Sequence, residues 1–384
     1  MKKAYWTCLV AAALQACGPG DTRIVEEQPT EPGRLVIVGG ALQADNAAVY
    51  SAVLDARDGD GPLCVIPTAS ADPVEAIDGA VATLTEYGGP ESAKGVLLST
   101  DEPQRAQDPA VTSELTACSG FYFTGGSQSR ILDVFLPQGD TTQAYRTLWQ
   151  RWREGAVVAG TSAGAAMMSR VMISGGSSDE AVARGVADGP DADGVVIRPG
   201  MGFFEPILDQ HFLARGRIGR LIVAVTYPDA PPVGFGIDEN TALVVDGDSA
   251  LVVGASGVVL VDGRSAGSSG TSEVTVNLVG AGDVIDLSSF AIRREEAKND
   301  LPHVAPDFDP PEDPFARWAF LHLLRDLASS SATEASFALP GRTLRIAKAA
   351  GFSAVASDRS GGVEGTPLGL SAGPFRVELR PEGP

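Results

Sequence analysis

The feature that most constrains this chain is a series of short, wholly apolar runs, most of them leading through a turn into a helical pattern. Leu35-Val36-Ile37-Val38 ends in Gly39-Gly40 and is followed by a helix expected around Ala47 to Leu54. Leu63 to Ile66 precedes a helix around Val74 to Tyr87, then come Val96-Leu97-Leu98 and Phe121-Tyr122-Phe123, the latter running into Thr124-Gly125-Gly126. A long amphipathic segment, Thr141 to Arg153, leads to Ala156-Val157-Val158-Ala159 and then to Gly160-Thr161-Ser162-Ala163-Gly164. Strands without a polar face, alternating with helices, imply a parallel sheet covered on both sides, an α/β class fold. Active sites of such sheets lie at the carboxyl ends of the strands. Gly125-Gly126 and Ser162 both sit at such ends.

The stretch around Ser162 has the form of a nucleophile elbow: strand, sharp glycine-flanked turn, helix formers Ala165-Ala166-Met167-Met168. The glycines let backbone crowd the serine, and the helix start supplies N–H donors beside it. With 45 glycines in 384 residues, about one serine in seventy would be flanked this way by chance, so placement carries the argument. A serine nucleophile needs a base. The chain has three histidines. His303 falls in a proline-rich stretch and His322 mid-helix, where a structural role is the simpler reading. His211 stands before a cluster of Arg215, Arg217 and Arg220 and is either the base or a structural histidine. An α/β-hydrolase would instead order its triad as Ser162, an acid near Asp238, then His303 or His322. It would also want an apolar ester pocket, of which the sequence gives no special sign.

The formal net charge of −20 argues against non-specific binding to nucleic acid or an anionic membrane. Residues 1–17 read as a signal peptide: Lys2 and Lys3, an apolar stretch from Ala4 to Leu14, then Leu14-Gln15-Ala16-Cys17. That ending resembles the lipobox of bacterial lipoproteins, with Cys17 lipidated; ordinary cleavage and free secretion is the alternative. Either way the protein is expected to be exported, touching membrane only through such an anchor. Residues 18–33 read as a solvated tether. Cys64 and Cys118 open apolar runs, and are either a disulfide or two buried thiols. Neither has metal-ligand spacing, so no metal site is expected.

After Pro232 the texture changes to strand-like runs at Val233 to Ile237, Ala242 to Val245, Ala250 to Val253, Val258 to Val261 and Val274 to Leu278. Turns such as Asp246-Gly247 and Asp262-Gly263 separate them. They read as antiparallel hairpins completing one domain over residues 34–293. Residues 294–314 read as a linker. Residues 315–384 form a small α+β extension, with a helix from Phe315 to Leu327 and no recognisable chemistry.

Four blocks occur in order: Phe123-Thr124-Gly125-Gly126-Ser127-Gln128, Gly160 to Ala165, Asp209-Gln210-His211-Phe212 with the three arginines, and Gly236-Ile237-Asp238-Glu239-Asn240-Thr241-Ala242-Leu243. Together they resemble the cyanophycinases of serine peptidase family S51, which also holds aspartyl dipeptidases. The resemblance covers about Arg34 to Arg293. It implies a three-layer α/β/α sandwich with a mostly parallel central sheet, like class I glutamine amidotransferase domains. It implies Ser162 as nucleophile, His211 as base, Glu239 as orienting acid, and Gly126 and Ala163 as oxyanion-hole donors. Asp238 is the neighbouring candidate; alternation along a strand would let only one of the two reach His211. The implied substrate is cyanophycin or a related β-aspartyl peptide, released as β-Asp-Arg dipeptides by an exopeptidase without a cofactor. Arg215 and Arg217 would clamp a carboxylate, Gln128 and Gln210 would hydrogen-bond, and Asp209 would meet a cationic group. Arg220 is a further candidate, or part of a solvated helix face. Ser127 stands where the family usually has aspartate, which alters the expected recognition of a cationic end. A dipeptidase for peptides with N-terminal Asp is a second reading, and a non-catalytic binding protein a third. The resemblance also implies a homodimer.

Overall fold

In the computed structural model the described residues are 31–187, 193–266, 272–304, 309–357 and 362–381. The expected signal peptide with Cys17, and the tether as far as residue 30, lie outside them. Five parallel strands form the heart of the first sheet: β1 (Leu35–Val38), β2 (Leu63–Ile66), β3 (Ala93–Gly95), β4 (Gly120–Phe123) and β5 (Val157–Thr161), in the order β1-β5-β4-β2-β3. β1 shows why they are apolar throughout. Val36 and Val38 enter one core with Val49 and Val53 of α1 (Ala47–Asp55) and Leu84 of α2 (Pro73–Gly88). Leu35 and Ile37 enter another with Val111 and Leu115 of α3 (Pro109–Thr116), Phe135 of α4 (Gln128–Phe135) and Leu148 of α5 (Gln143–Arg153). Successive residues point to opposite faces, and helices cover both. This is the three-layer α/β/α arrangement. Cys64 and Cys118 are joined by a disulfide with Cα atoms 5.8 Å apart, tying β2 to the start of β4.

The third strand begins earlier than the apolar run suggests. Pairing falls on Ala93–Gly95, the Val96 N–H makes a last bond to the Val65 carbonyl of β2 at 2.9 Å, and the Val96 and Leu98 side chains fill the core. Burial, not strand pairing, made those residues apolar.

After β5 the chain passes through the one-turn helix α6 (Ala163–Ala166) and a small hairpin, β6 (Val171–Gly175) with β7 (Val196–Pro199). Between them lies α7 (Ser178–Arg184), opened by a capping box from Ser177 and Glu180. Then come β8 (Ile207–Gln210), α8 (Ile218–Val225) and β9 (Val233–Ile237). β8 and β9 pair in parallel in a second sheet. The hairpins then alternate between the sheets. β10 (Thr241–Asp246) and β11 (Ser249–Gly254) add antiparallel to β1, whereas β12 (Gly257–Asp262) and β13 (Ser272–Gly280) add to β9. β14 (Val284–Asp286) and β15 (Ile292–Arg293) return to the edge of the first sheet.

The chain beyond residue 293 continues the second sheet. β16 (Asn299–Asp300) and β17 (Glu334–Leu339) pair with the long β18 (Arg342–Ala356), β18 with β19 (Ser371–Pro381), and β19 with β13. The helix α9 (Ala319–Ala328) packs on the second core together with α8. It starts four residues later than Phe315, because Trp318 takes a left-handed conformation (φ 61°) that a helix interior does not allow.

Candidate active site

The carboxyl ends of β1, β4, β5, β8 and β9 converge, and each delivers one part of a single constellation. β5 ends at Thr161, and Ser162 adopts φ 55°, ψ −112°, a strained backbone for a residue with a side chain. Its carbonyl accepts N–H bonds from Ala165 and Ala166, so the turn feeds straight into α6. The flanking glycines are required by space. A Cβ on Gly160 would lie 2.3 Å from the Gly164 carbonyl oxygen, and one on Gly164 would lie 2.4 Å from that of Phe123.

β8 ends at Gln210, and His211 follows with φ 48°, its N–H donating to the Gly39 carbonyl at 2.7 Å. This bond crosses from the second sheet to the end of β1 in the first. His211 Nε2 lies 2.9 Å from Ser162 Oγ, and Nδ1 lies 2.7 Å from Glu239 Oε1. With Nδ1–H donated to the carboxylate, Nε2 presents its lone pair to the serine hydroxyl. Burial, first of all, holds the His211 pKa below the ordinary imidazole range, and the Arg215 and Arg217 charges add to this. The Glu239 hydrogen bond and charge oppose it. The same direction favours the neutral imidazole at neutral pH.

Asp238 and Glu239 do point apart. Asp238 is fully buried, accepts the N–H groups of Leu213 and Ala214 at 3.0 Å each, and takes the Ser256 hydroxyl at 2.6 Å. It braces the turn behind His211, and burial pushes its carboxyl up to about 6. Glu239 alone reaches the imidazole.

The loop Thr124-Gly125-Gly126 closes the other side. A Cβ on Gly125 would stand 3.4 Å from that of Ser162. Gly126 has φ 140° and lies so close to Ala69 that a Cβ would sit 2.0 Å from its carbonyl oxygen. Ala163 is the first residue of α6, where an N–H has no intrahelical acceptor. Donors of this kind beside a serine can hold a developing oxyanion. Ser162, His211, Gly125, Thr124 and Tyr122 line a cavity of about 470 Å³ with residues of α1 and α2.

The other expected binding residues divide. Gln128 is half-buried at the start of α4, its amide donating to the Ile173 carbonyl at 2.9 Å. Gln210 is buried and its Oε1 has no hydrogen-bond partner. Arg215 is exposed beside His211. Arg217 donates to the Gln210 carbonyl at 2.5 Å, and burial lowers its pKa to about 10. Asp209 and Arg220 depart from expectation. Asp209 is 1 % exposed, and both its oxygens are taken by Arg220, which also donates to the Gly176 carbonyl. In place of a substrate-facing acid and a solvated helix face, the structure has an internal ion pair. The two rival histidines lie apart from this hydrogen-bond chain. His303 is exposed on the polar stretch, and His322 is on α9 with Nε2 buried and unpartnered.

Gly40 is the residue the motifs leave unremarked. It has φ 110°, and a Cβ there would stand 2.3 Å from His211 Nε2. Only glycine leaves room for the imidazole, and its place two residues past an apolar strand was the available signal.

The model of peptidase family S51 matches residues 35–253, more than half of the chain and all of this constellation. The chain belongs to peptidase family S51. Membership makes it a serine-type peptidase. A cyanophycinase from Trichormus variabilis is 36% identical over 234 residues, 59% of this chain and 73% of that protein. One from Synechococcus elongatus is 31% identical over 250 residues, 64% and 73% respectively. The solved structure of a peptidase from an acI-B1 Actinobacterium matches with a TM-score of 0.50 at 21% identity, covering 67% of this chain and 98% of that one. That likeness bears on the fold of this S51 peptidase.

Proposed function

We propose that this peptidase is an exported exopeptidase that hydrolyses cyanophycin, or related β-aspartyl peptides, to β-Asp-Arg dipeptides through an acyl-enzyme. The observation that carries the reading is the continuous hydrogen-bonded chain from Ser162 through His211 to Glu239, in relatives' company that includes cyanophycinases. Ser162 Oγ attacks the scissile carbonyl as His211 Nε2 takes its proton, and Glu239 stabilises the imidazolium. The Gly126 and Ala163 N–H groups receive the oxyanion, and His211 then protonates the leaving amine. Water hydrolyses the ester by the same steps in reverse role.

Gln128, Gln210, Arg215 and Arg217 are the side chains we assign to substrate, the arginines to its carboxylates. Export is supported by the Cys64–Cys118 disulfide, since such bonds persist in oxidising compartments. Lipidation at Cys17 and a homodimer belong to the same reading. A dipeptidase for N-terminal Asp peptides is favoured by one observation, the neutral Ser127 beside the oxyanion loop. Incubating the protein with purified cyanophycin and identifying products by mass spectrometry decides between them. Ser162→Ala and His211→Ala should each lower dipeptide release by about a thousandfold or more, and His322→Ala should leave it intact. Undiminished release by Ser162→Ala would overturn the mechanism.

A further inference from the structure

Arg317 lies outside residues 35–253, in the short stretch that leads into α9. Its guanidinium nonetheless reaches the catalytic constellation. Nη2 stands 3.9 Å from Glu239 Oε2, the carboxylate oxygen that His211 leaves free.

The backbone carrying Arg317 is fixed. Asp313 accepts the Phe315 N–H at 2.8 Å, and Trp318 N–H donates to the Leu213 carbonyl at 3.1 Å, two residues past His211. The Phe315 carbonyl presses on Gly216 so closely that a Cβ there would lie 1.7 Å away. Phe315 and Trp318 are buried in the second core, and the Arg317 guanidinium lies 5.5 Å from the Trp318 ring centre. The side chain itself is 66% exposed. A pair this open and this long contributes little stability. What it changes is the charge a ligand meets.

Glu239 is partly exposed, in a chain of net charge −20. A substrate carboxylate approaching His211 from that side meets repulsion unless a cation offsets it. Arg317 supplies that cation on Glu239, and Arg215 is exposed beside His211. A guanidinium has five donors in a planar fork, and the contact with Glu239 leaves most of them open to a second carboxylate.

We propose that Arg317 is a specificity residue of this active site, which receives a free carboxylate of the substrate beside the His211–Glu239 pair together with Arg215. The inference rests on the peptidase reading above and narrows it to peptides with a free carboxylate next to the scissile bond. It also gives residues beyond 293 a part in the site.

The test compares a short β-aspartyl peptide with its C-terminal amide, on wild type, Arg317→Gln and Arg317→Lys. Arg317→Gln should raise KM for the acid about fivefold, the upper range for an exposed ion pair, and raise KM for the amide by clearly less. Arg317→Lys should recover part of the loss. An unchanged acid-to-amide ratio in Arg317→Gln, or an equal rise in KM for both peptides, would overturn the proposal. So would a fall in kcat with a displaced pH profile, which would make Arg317 a positioning residue for Glu239. If wild type cleaves neither peptide, the substrate reading falls and the role of Arg317 with it. That failure shows in the wild-type arm, before any Arg317 variant is compared.

Discussion

His211 gathers more constraints than any other side chain here, and its titration should report them. Burial disfavours the imidazolium, so the acid limb of kcat/KM is expected below the ordinary histidine value of about 6.5. Arg215→Gln removes a cation that opposes the imidazolium; the pKa rises and the limb moves to higher pH. Glu239→Gln removes the group that favours it, so the limb moves to lower pH while kcat falls. A wild-type limb at or above 6.5 in a pH–rate profile would contradict the burial argument. The choice of Glu239 over Asp238 was open in the residues alone, since alternation says that one turns inward without saying which. The pairing of Asp209 became readable only once the strand's two faces were known. Ile207 faces the second core and Leu208 the first, so period two puts Asp209 on the face toward α8, where Arg217 and Arg220 stand three apart. A carboxylate facing Arg220 on the helix, with Arg217 at the helix N-cap 3.4 Å away, is an ion pair before it is a binding site.

At the scale of elements, the apolar runs announced the parallel strands because double-sided burial leaves no polar position within them. They did not announce which sheet a later run would join. β9 and β10 read alike, yet the turn at Asp238 to Asn240 sends one to each sheet, and it is this division that sets Glu239 beside His211. Nor did spacing reveal whether Cys64 and Cys118 meet, because the adjacency of β2 and β4 is set by topology. The disulfide joins residues 54 apart in the sequence, Cys64 in β2 and Cys118 just before β4, and both are buried. Constraining the unfolded chain over that length is worth about 2–4 kcal/mol. A Cys64→Ala/Cys118→Ala variant should lose that much in urea unfolding while keeping KM for its peptide substrate. The link lies in the core near the start of β4, whereas the serine turn follows the carboxyl end of β5, so a large change in KM would mean that it also shapes the site.

Across the whole molecule, the chain past residue 293 is a structural partner of the catalytic part, and the polar composition of 294–314 hid this. Lys298 crosses to Asp283, both essentially buried, and Ser371 at the start of β19 donates to the same carboxylate. Three distant segments thus meet in one charged cluster next to the β13–β19 ladder. Burial lowers the Lys298 pKa, whereas the Asp283 hydrogen bond and charge raise it, so the pair depends on both members. Removing one member leaves an uncompensated charge inside the protein, a cost of about 3–5 kcal/mol. Lys298→Met should therefore be destabilised by that amount. Lys298→Met/Asp283→Leu should recover much of it, since replacing a buried pair with apolar residues is often neutral. Chemical unfolding of the two single variants and the double gives the coupling directly. If Lys298→Met unfolds at the wild-type midpoint, the C-terminal segment is attached by its strand ladder alone, and the cluster carries none of the load between β13, β14 and β19.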